Sequence, residues 1–264
     1  MNMKLIFQLT LFTYVFVTIA YLVCFFNQNK RIRTLARYGM IAAAVGHLVY
    51  TMIRYMAGGH TPITSSHETI SFSALAVTWG YLSFRWRYKV KNFGVFVSPI
   101  ITILMVVAAL ASQEMTSELS PALQSVWLPI HAGIALMAYG FLALAFCGGI
   151  MYLLQEREIK KKSFGFFYSR LPSLEALDSL NRHCLATGFP LMTLGIISGM
   201  IWTKQGTGAY WQWNPKETLS LITWLIYAAI IHQRFTLGWR RRRAAIMVII
   251  GFLVALVTLY LASY

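Results

Sequence analysis

The sequence predicts an all-α membrane protein, a bundle of about eight transmembrane helices, and two observations carry that reading. Of 264 residues, 58% are hydrophobic and only 12% are charged, a balance that a soluble domain of this size could not keep off its surface. Apolar runs of about 18 residues, each enough to cross roughly 30 Å of hydrocarbon, recur along the chain.

The runs justify the elements in order. Leu5–Phe26 is long enough to span, and no small-residue cleavage pattern follows it, so it is read as a retained helix. Tyr38–Met56 comes second, with His47 at its middle, and Ile70–Ser83 is third. That third run is short as written and is expected to borrow turns from its flanks. Phe93–Ala111, Leu128–Leu154 and Cys184–Trp202 follow as full-length spans. Leu219–His232 is again short, and Ala244–Leu261 is the last. No linker, low-complexity tract or repeat interrupts them, so residues 1–264 are expected to form a single integral-membrane domain. The polar connection Gln155–His183 begins with charge and continues into Leu171-Pro172-Ser173-Leu174. Ser173 suits an N-cap, and Leu174, Leu177 and Leu180 recur at helical spacing, which predicts a short helix lying at the inner membrane surface.

A formal net charge of +15 raises the question of nucleic acid, and the placement of the charge answers it. Lys30, Arg31, Arg33 and Arg37 follow the first run, and Arg85, Arg87, Lys89 and Lys91 the third. Arg157, Lys160, Lys161, Lys162, Arg170 and Arg182 follow the fifth, and Arg234 with Arg240 to Arg243 the seventh. Nineteen of the 23 basic residues thus fall in alternate loops, a topological signal that assigns those loops to the cytoplasm. Both termini are then expected outside, together with the loops 58–69, 112–127 and 203–218. Polynucleotide binding is not needed to explain the charge.

Few residues can do chemistry. Cys24, Cys147 and Cys184 lie far apart in or beside the spans and form no C-x-x-C, so small buried hydrophobes are the expected roles. His131 opens the fifth span and His232 closes the seventh, which puts them on opposite sides of a core roughly 30 Å thick. They cannot hold one metal together; each could instead sit at a helix end and bond water or backbone. His47, in mid-span, must face the interior or a cavity. His60, His67 and His183 are expected to be ordinary solvated histidines.

The segment Tyr210-Trp211-Gln212-Trp213-Asn214-Pro215-Lys216-Glu217-Thr218 is chemically denser. Tryptophans collect at membrane interfaces as a belt, but a belt does not require this string. Asn214-Pro215 forces a turn, with proline near the first position of the next helix and Glu217 in its first turn. Trp211 and Trp213 would then stand over the mouth of the bundle as a platform for a flat, amphiphilic molecule.

These residues carry a resemblance. Leu171–Tyr264 is similar to the C-terminal half of the CcsA/ResC-type cytochrome c assembly proteins, the haem-handling WWD family that includes HemX-like members. The matching motifs are Leu171-Pro172-Ser173-Leu174, Gly188-Phe189-Pro190-Leu191, the tryptophan string, Ile222-Thr223-Trp224-Leu225-Ile226-Tyr227 and Gly238-Trp239-Arg240. Weaker matches surround Glu68 in Ser65–Ser71, and pair His131 with Ala138-Tyr139.

The resemblance implies delivery of haem b across the membrane and its presentation outside to an apocytochrome c bearing C-x-x-C-H. It implies a subunit of a System II cytochrome c haem lyase, multi-pass in the bacterial cytoplasmic membrane, with a ResB-type partner. His131 matches the family's first external iron ligand and His232 resembles its membrane-site histidine. Tyr210, Trp211, Trp213, Asn214, Lys216 and Glu217 would contact haem, Lys216 through a propionate. A HemX-like regulator of haem biosynthesis or allocation, or a haem-bearing subunit of a redox complex, is the alternative. Three departures stand out: Thr207-Gly208 replaces Trp-Gly, Asn214 replaces an aspartate, and Ala262 occupies the place of the second external histidine.

Overall fold

A computed structural model describes residues 3–88, 90–112, 121–162, 165–236, 238 and 241–262. Along these the chain forms α1 (Met3–Asn27), α2 (Lys30–Gly58), α3 (Ser66–Arg87) and α4 (Gly94–Leu110), then a 3₁₀ turn at Pro121–Gln124. It continues as α5 (Trp127–Lys160), α6 (Leu174–Thr207), α7 (Pro215–Phe235) and α8 (Arg242–Ala262), with no strand among the described residues. Each of the eight apolar runs coincides with one helix. By length and composition α1, α2, α5 and α6 can each cross a membrane, while α4 is apolar but 17 residues long. The protein is a multi-pass helical membrane protein.

The helices overrun the apolar stretches that announce them. α2 starts at Lys30, capped by the Asn29 side chain on the Arg31 N–H, so four of the basic residues lie on helix and not in a loop. α3 and α7 gain turns at both ends, as expected. The largest correction concerns the segment after Ser173. Ser173 does cap a helix, accepting from the Ala176 N–H at 3.3 Å, but that helix is α6 itself, 34 residues without a break. No separate surface helix forms from Leu174 to Leu180. Backbone hydrogen bonding does not stop where side chains turn polar, because long basic side chains reach water while their stems stay against apolar surface.

The chain divides into two compact units, residues 1–87 with 92–124 and residues 88–91 with 125–264. In the first, Ala36, Met40, Ala43, His47, Tyr50 and Arg54 form the buried stripe of α2, facing Phe7, Thr10, Tyr14, Val17 and Tyr21 of α1. Gly39 allows this approach: a Cβ there would lie 2.8 Å from Val17 Cγ2. α4 closes on α1 through Thr18 and Thr102, whose hydroxyls are 2.8 Å apart. Leu5, Leu9, Phe12, Phe16 and Ile19, on the other side of α1, are exposed, as suits lipid-facing residues.

In the second unit α5 and α6 form the central pair. A Cβ on Gly188 would lie 3.0 Å from Leu142 Cδ2, and one on Gly195 3.3 Å from the Ala135 Cα. Small residues at helical spacing let two membrane helices pack backbone to backbone, where there is little hydrophobic force to join them. α8 lies against α5 at Gly149, whose Cβ would come 3.0 Å from the Ala245 carbonyl. α7 joins α8 through Thr223 and Thr258 at 2.7 Å, and α6 through Trp224 Nε1 donating to Thr193 Oγ1 at 2.9 Å. Cys24, Cys147 and Cys184 are buried and not disulfide-bonded, as expected of small hydrophobes.

Candidate functional site

The tryptophan string is a shaped connection between α6 and α7. α6 stops at Thr207 because Gly208 takes φ +82° and returns its N–H to the Lys204 carbonyl. α7 opens with Asn214 as N-cap and Pro215 in its first turn. The Asn214 side chain accepts from the Glu217 N–H at 2.8 Å, and the Glu217 carboxylate reaches back to the Gln212 N–H at 2.6 Å. Asn214 and Glu217 are therefore already engaged in folding the loop, a reciprocal pair related to the capping box.

Held this way, Trp211 is half-buried and Trp213 is 71% exposed, with ring centroids 5.9 Å apart and planes at 79°. Trp213 sits at φ +57°, a conformation that costs a non-glycine residue on the order of 1 kcal/mol or more. Tyr210 is exposed, its hydroxyl accepting from the Lys204 ammonium at 2.7 Å. Lys216 projects into the open in the first turn of α7. Two buried polar atoms in this connection have no hydrogen-bond partner, Trp211 Nε1 and Glu217 Oε1.

His131 stands one turn into α5, against α6. Its Nδ1 is 2.8 Å from the Gly195 carbonyl, which can only accept, so Nδ1 carries the proton. In the neutral ring this leaves Nε2 with a free lone pair, the tautomer and the second contact usual for a metal-binding imidazole. Trp202 stacks on the ring at 5.9 Å and 20°, and Gly199 makes room for it, since a Cβ there would lie 2.9 Å from Cε1 and Nδ1. Sequence reasoning found His131 but missed Gly195, Gly199 and Trp202. The signal available was the spacing of Gly188, Gly195 and Gly199 along one face of α6.

His232 belongs to the other end of this unit. It lies 17 residues after Pro215, about 26 Å along a helix axis, exposed in the last turn of α7 with Nδ1 3.4 Å from Thr236 Oγ1. Two residues on, buried Arg234 pairs with Asp178 at 2.9 Å, near the start of α6. His131 thus packs against the Gly199–Trp202 stretch of α6, whose last residue, Thr207, leads into the Trp211–Trp213 connection, and His232 lies apart at the far end of α7. Ala262 is the last residue of α8, and its side chain lies outside the described residues, as do those of Trp239 and Arg240.

Two histidines differ from expectation. His67 is not a solvated loop residue: it is fully buried in the first turn of α3, with Nε2 2.7 Å from Tyr50 Oη and Nδ1 donating to the Ala108 carbonyl at 2.7 Å. His183 is half-buried, its ring tilted at 43° against Tyr88 with centroids 4.5 Å apart, and its Nδ1 is on the Ser179 carbonyl. His60 is half-exposed, as a loop histidine should be. His47 is fully buried, as its mid-span position requires.

Among the described residues no three His, Cys, Asp or Glu side chains converge to hold a bare metal ion. An iron already held in its plane by a macrocycle needs only axial donors, which a lone imidazole beside exposed aromatic faces can begin to supply. The residues at the Trp211 end fit such a group: a free imidazole nitrogen, an unpaired indole N–H and a strained, outward indole.

The family described as cytochrome C assembly protein matches residues 64–264. The cytochrome c biogenesis protein CcsA of Porphyra purpurea is 32% identical over 239 residues, covering 76% of this chain and 75% of that one. CcsA of Guillardia theta is 31% identical over 250 residues, covering 85% and 82%. Among solved structures, the cytochrome c heme lyase CcmF shares the fold with a TM-score of 0.71 at 17% identity. The match covers 97% of this chain and 46% of that one.

Proposed function

We propose, since the chain belongs to the cytochrome c assembly protein family as a CcsA-type membrane protein, that it presents haem b outside the membrane for attachment to an apocytochrome c. The whole of residues 1–264 serves this task as one haem-handling domain. Haem, once bound, supplies the iron and the vinyl groups that meet the thiols of a C-x-x-C-H segment. The chain binds and orients it. His131 offers Nε2 to the iron while the Gly195 carbonyl and Trp202 hold the ring still. Trp211 and Trp213 cover the macrocycle, the Lys216 ammonium meets a propionate, and Tyr210 borders the site. Asn214 and Glu217 act by fixing the loop. His232, at the far end of α7, receives haem near the cytoplasmic face, where a ResB-type partner supplies the second ligand. Both termini lie outside, in the bacterial cytoplasmic membrane.

The observation that supports this most is the way His131 is held, by the Gly195 carbonyl on Nδ1 and by Trp202 on its face, with Nε2 left as the unprotonated nitrogen. The test is the absorption spectrum of the purified protein, with haem staining of a co-expressed apocytochrome. Wild type should show a haem band that His131→Ala removes, and staining should fall with it. Haem-free protein whose partner-dependent staining survives His131→Ala would refute the assignment.

Ala262 favours a second reading. Without the second external histidine the outer iron would be left with an open position or one filled by water, and a HemX-like regulator of haem allocation would show that haem without staining any cytochrome. Ala262→His should convert a high-spin spectrum to a low-spin one.

A further inference from the structure

The first unit contains a line of buried polar side chains for which haem handling gives no reason. Glu68, Ser71, Thr78, Tyr81 and Arg85 share one side of α3. Near Glu68 a small, partly open cavity is lined by Tyr50, Arg54, Glu68 and Ser71 among others. From it the line runs inward: Ser71 Oγ is 2.9 Å from His47 Nε2, His47 Nδ1 is 3.3 Å from Tyr14 Oη, and Tyr14 Oη is 3.2 Å from Thr78 Oγ1. One turn further along α3, Tyr81 Oη is 3.0 Å from Tyr21 Oη and accepts from Arg85 Nη1 at 3.4 Å. Glu68 to Arg85 is 17 residues, about 26 Å of helix, close to the ~30 Å depth of the hydrocarbon. The line is interrupted between Thr78 and Tyr81, three residues apart on α3, and water must carry the proton across that gap.

The chemistry of the line is selective. Every member between the cavity and Tyr21 is a hydroxyl or an imidazole, groups that both accept and donate. A proton can enter on one lone pair while another leaves from the far side. Packing alone does not call for this composition. Interhelical hydrogen bonds in membranes average only about 0.6 kcal/mol, so leucine and phenylalanine would join α1, α2 and α3 nearly as well. Chains of polar residues in a membrane interior commonly mark proton relays.

We propose that this line is a proton-transfer path through the first unit, from the Glu68 cavity to the Arg85 end. In each hop one O–H or N–H bond forms as the next breaks. A proton taken up at one end is matched by one released at the other, and no residue is left altered after its group reorients. Tyr14 is the central link, between His47 and Thr78.

The test is proton flux into liposomes containing the purified full-length chain and a trapped pH dye, with potassium and valinomycin carrying the balancing charge. Wild type should collapse an imposed pH step several-fold faster than protein-free liposomes. Tyr14→Phe, which deletes one O–H and keeps the ring, should return the rate to the protein-free level without lowering the melting temperature. Should Tyr14→Phe not fold, Thr78→Val and Tyr21→Phe interrupt the same line on either side of the break and should act alike. Wild-type flux equal to that of empty liposomes overturns the proposal. So does wild-type flux in Tyr14→Phe with a lowered melting temperature, which would make the line a structural clamp.

Discussion

At His131 a single carbonyl decides which nitrogen is free, and the neighbouring glycine decides whether the ring can stay. Gly199→Ala would place a methyl 2.9 Å from two ring atoms. The ring must shift, and disturbing the groups that support a metal ligand commonly costs 10–100-fold in affinity. Gly199→Ala is therefore expected to weaken haem binding about tenfold in a haem titration, with little loss of α5–α6 packing. At Trp213 stability and function pull apart. Trp213→Gly should relieve the left-handed backbone and raise stability by about 1 kcal/mol, while lowering bound haem; a melting curve and a spectrum read the two effects separately. Trp211 and Trp213 together changed to Ala should lose more haem than the pair changed to Phe, which keeps aromatic faces. At this scale the sequence showed which side chains carry chemistry but not which are free to use it. His47 and the three cysteines were legible from position. His67 was not, although a signal existed: Ser65 and Glu68 form a capping box, each bonding the other's backbone N–H at 3.3 Å, which starts α3 at Ser66 and turns His67 inward. The pairing of Arg54 with Glu68 at 2.6 Å, with side chains 4% and 1% exposed, depends on two helices and could not be read from either. Arg54→Ala would strand a buried carboxylate and should cost about 3–5 kcal/mol, seen as a large drop in melting temperature.

Helices were legible as elements, their ends less so. An apolar run marks the part of a helix that meets hydrocarbon. The helix itself continues until a cap or a left-handed residue stops it, as Gly59 and Gly208 do for α2 and α6. The start of α7 was readable because its cap is written in the sequence as Asn-Pro-x-Glu, and the structure shows that cap closing the tryptophan loop. Asn214→Ala removes the acceptor for the Glu217 N–H and should cost about 1 kcal/mol. Asn214→Asp, the family's residue, keeps the acceptor and adds a charge favourable at a helix N-terminus, so it should be at least as stable as the native residue. Fluorescence of the loop tryptophans during unfolding distinguishes these outcomes.

For the whole chain, membrane topology is the expectation on which the proposed function most depends, and it follows from nineteen basic residues in alternate connections. Cysteines placed at Thr207 and at Lys161 stand at opposite ends of the α5–α6 pair and should react with an impermeant thiol reagent from opposite sides of intact cells. Labelling of Lys161→Cys from outside would invert the orientation, putting the tryptophan loop in the cytoplasm and His232 outside. The division into two units was not legible, since apolar runs of similar length and composition say nothing about which helices pack together. That choice rests on small contacts such as Gly39 on Val17 and Gly149 on Ala245.

The unequal lengths of the helices have a consequence for the lipid around them. α5 and α6, at 34 residues each, measure about 51 Å and overhang any bilayer, so thicker or thinner lipid merely changes how much of them is wet. α4, at 17 residues, measures about 26 Å and falls short of an average hydrocarbon slab. Hydrophobic mismatch is therefore concentrated in the first unit. In vesicles of increasing acyl-chain length the α1–α4 half should lose thermal stability or thin the surrounding lipid, while the spectrum of haem held at His131 stays constant. A spectrum that tracked chain length would mean that strain in α4 is felt at the iron.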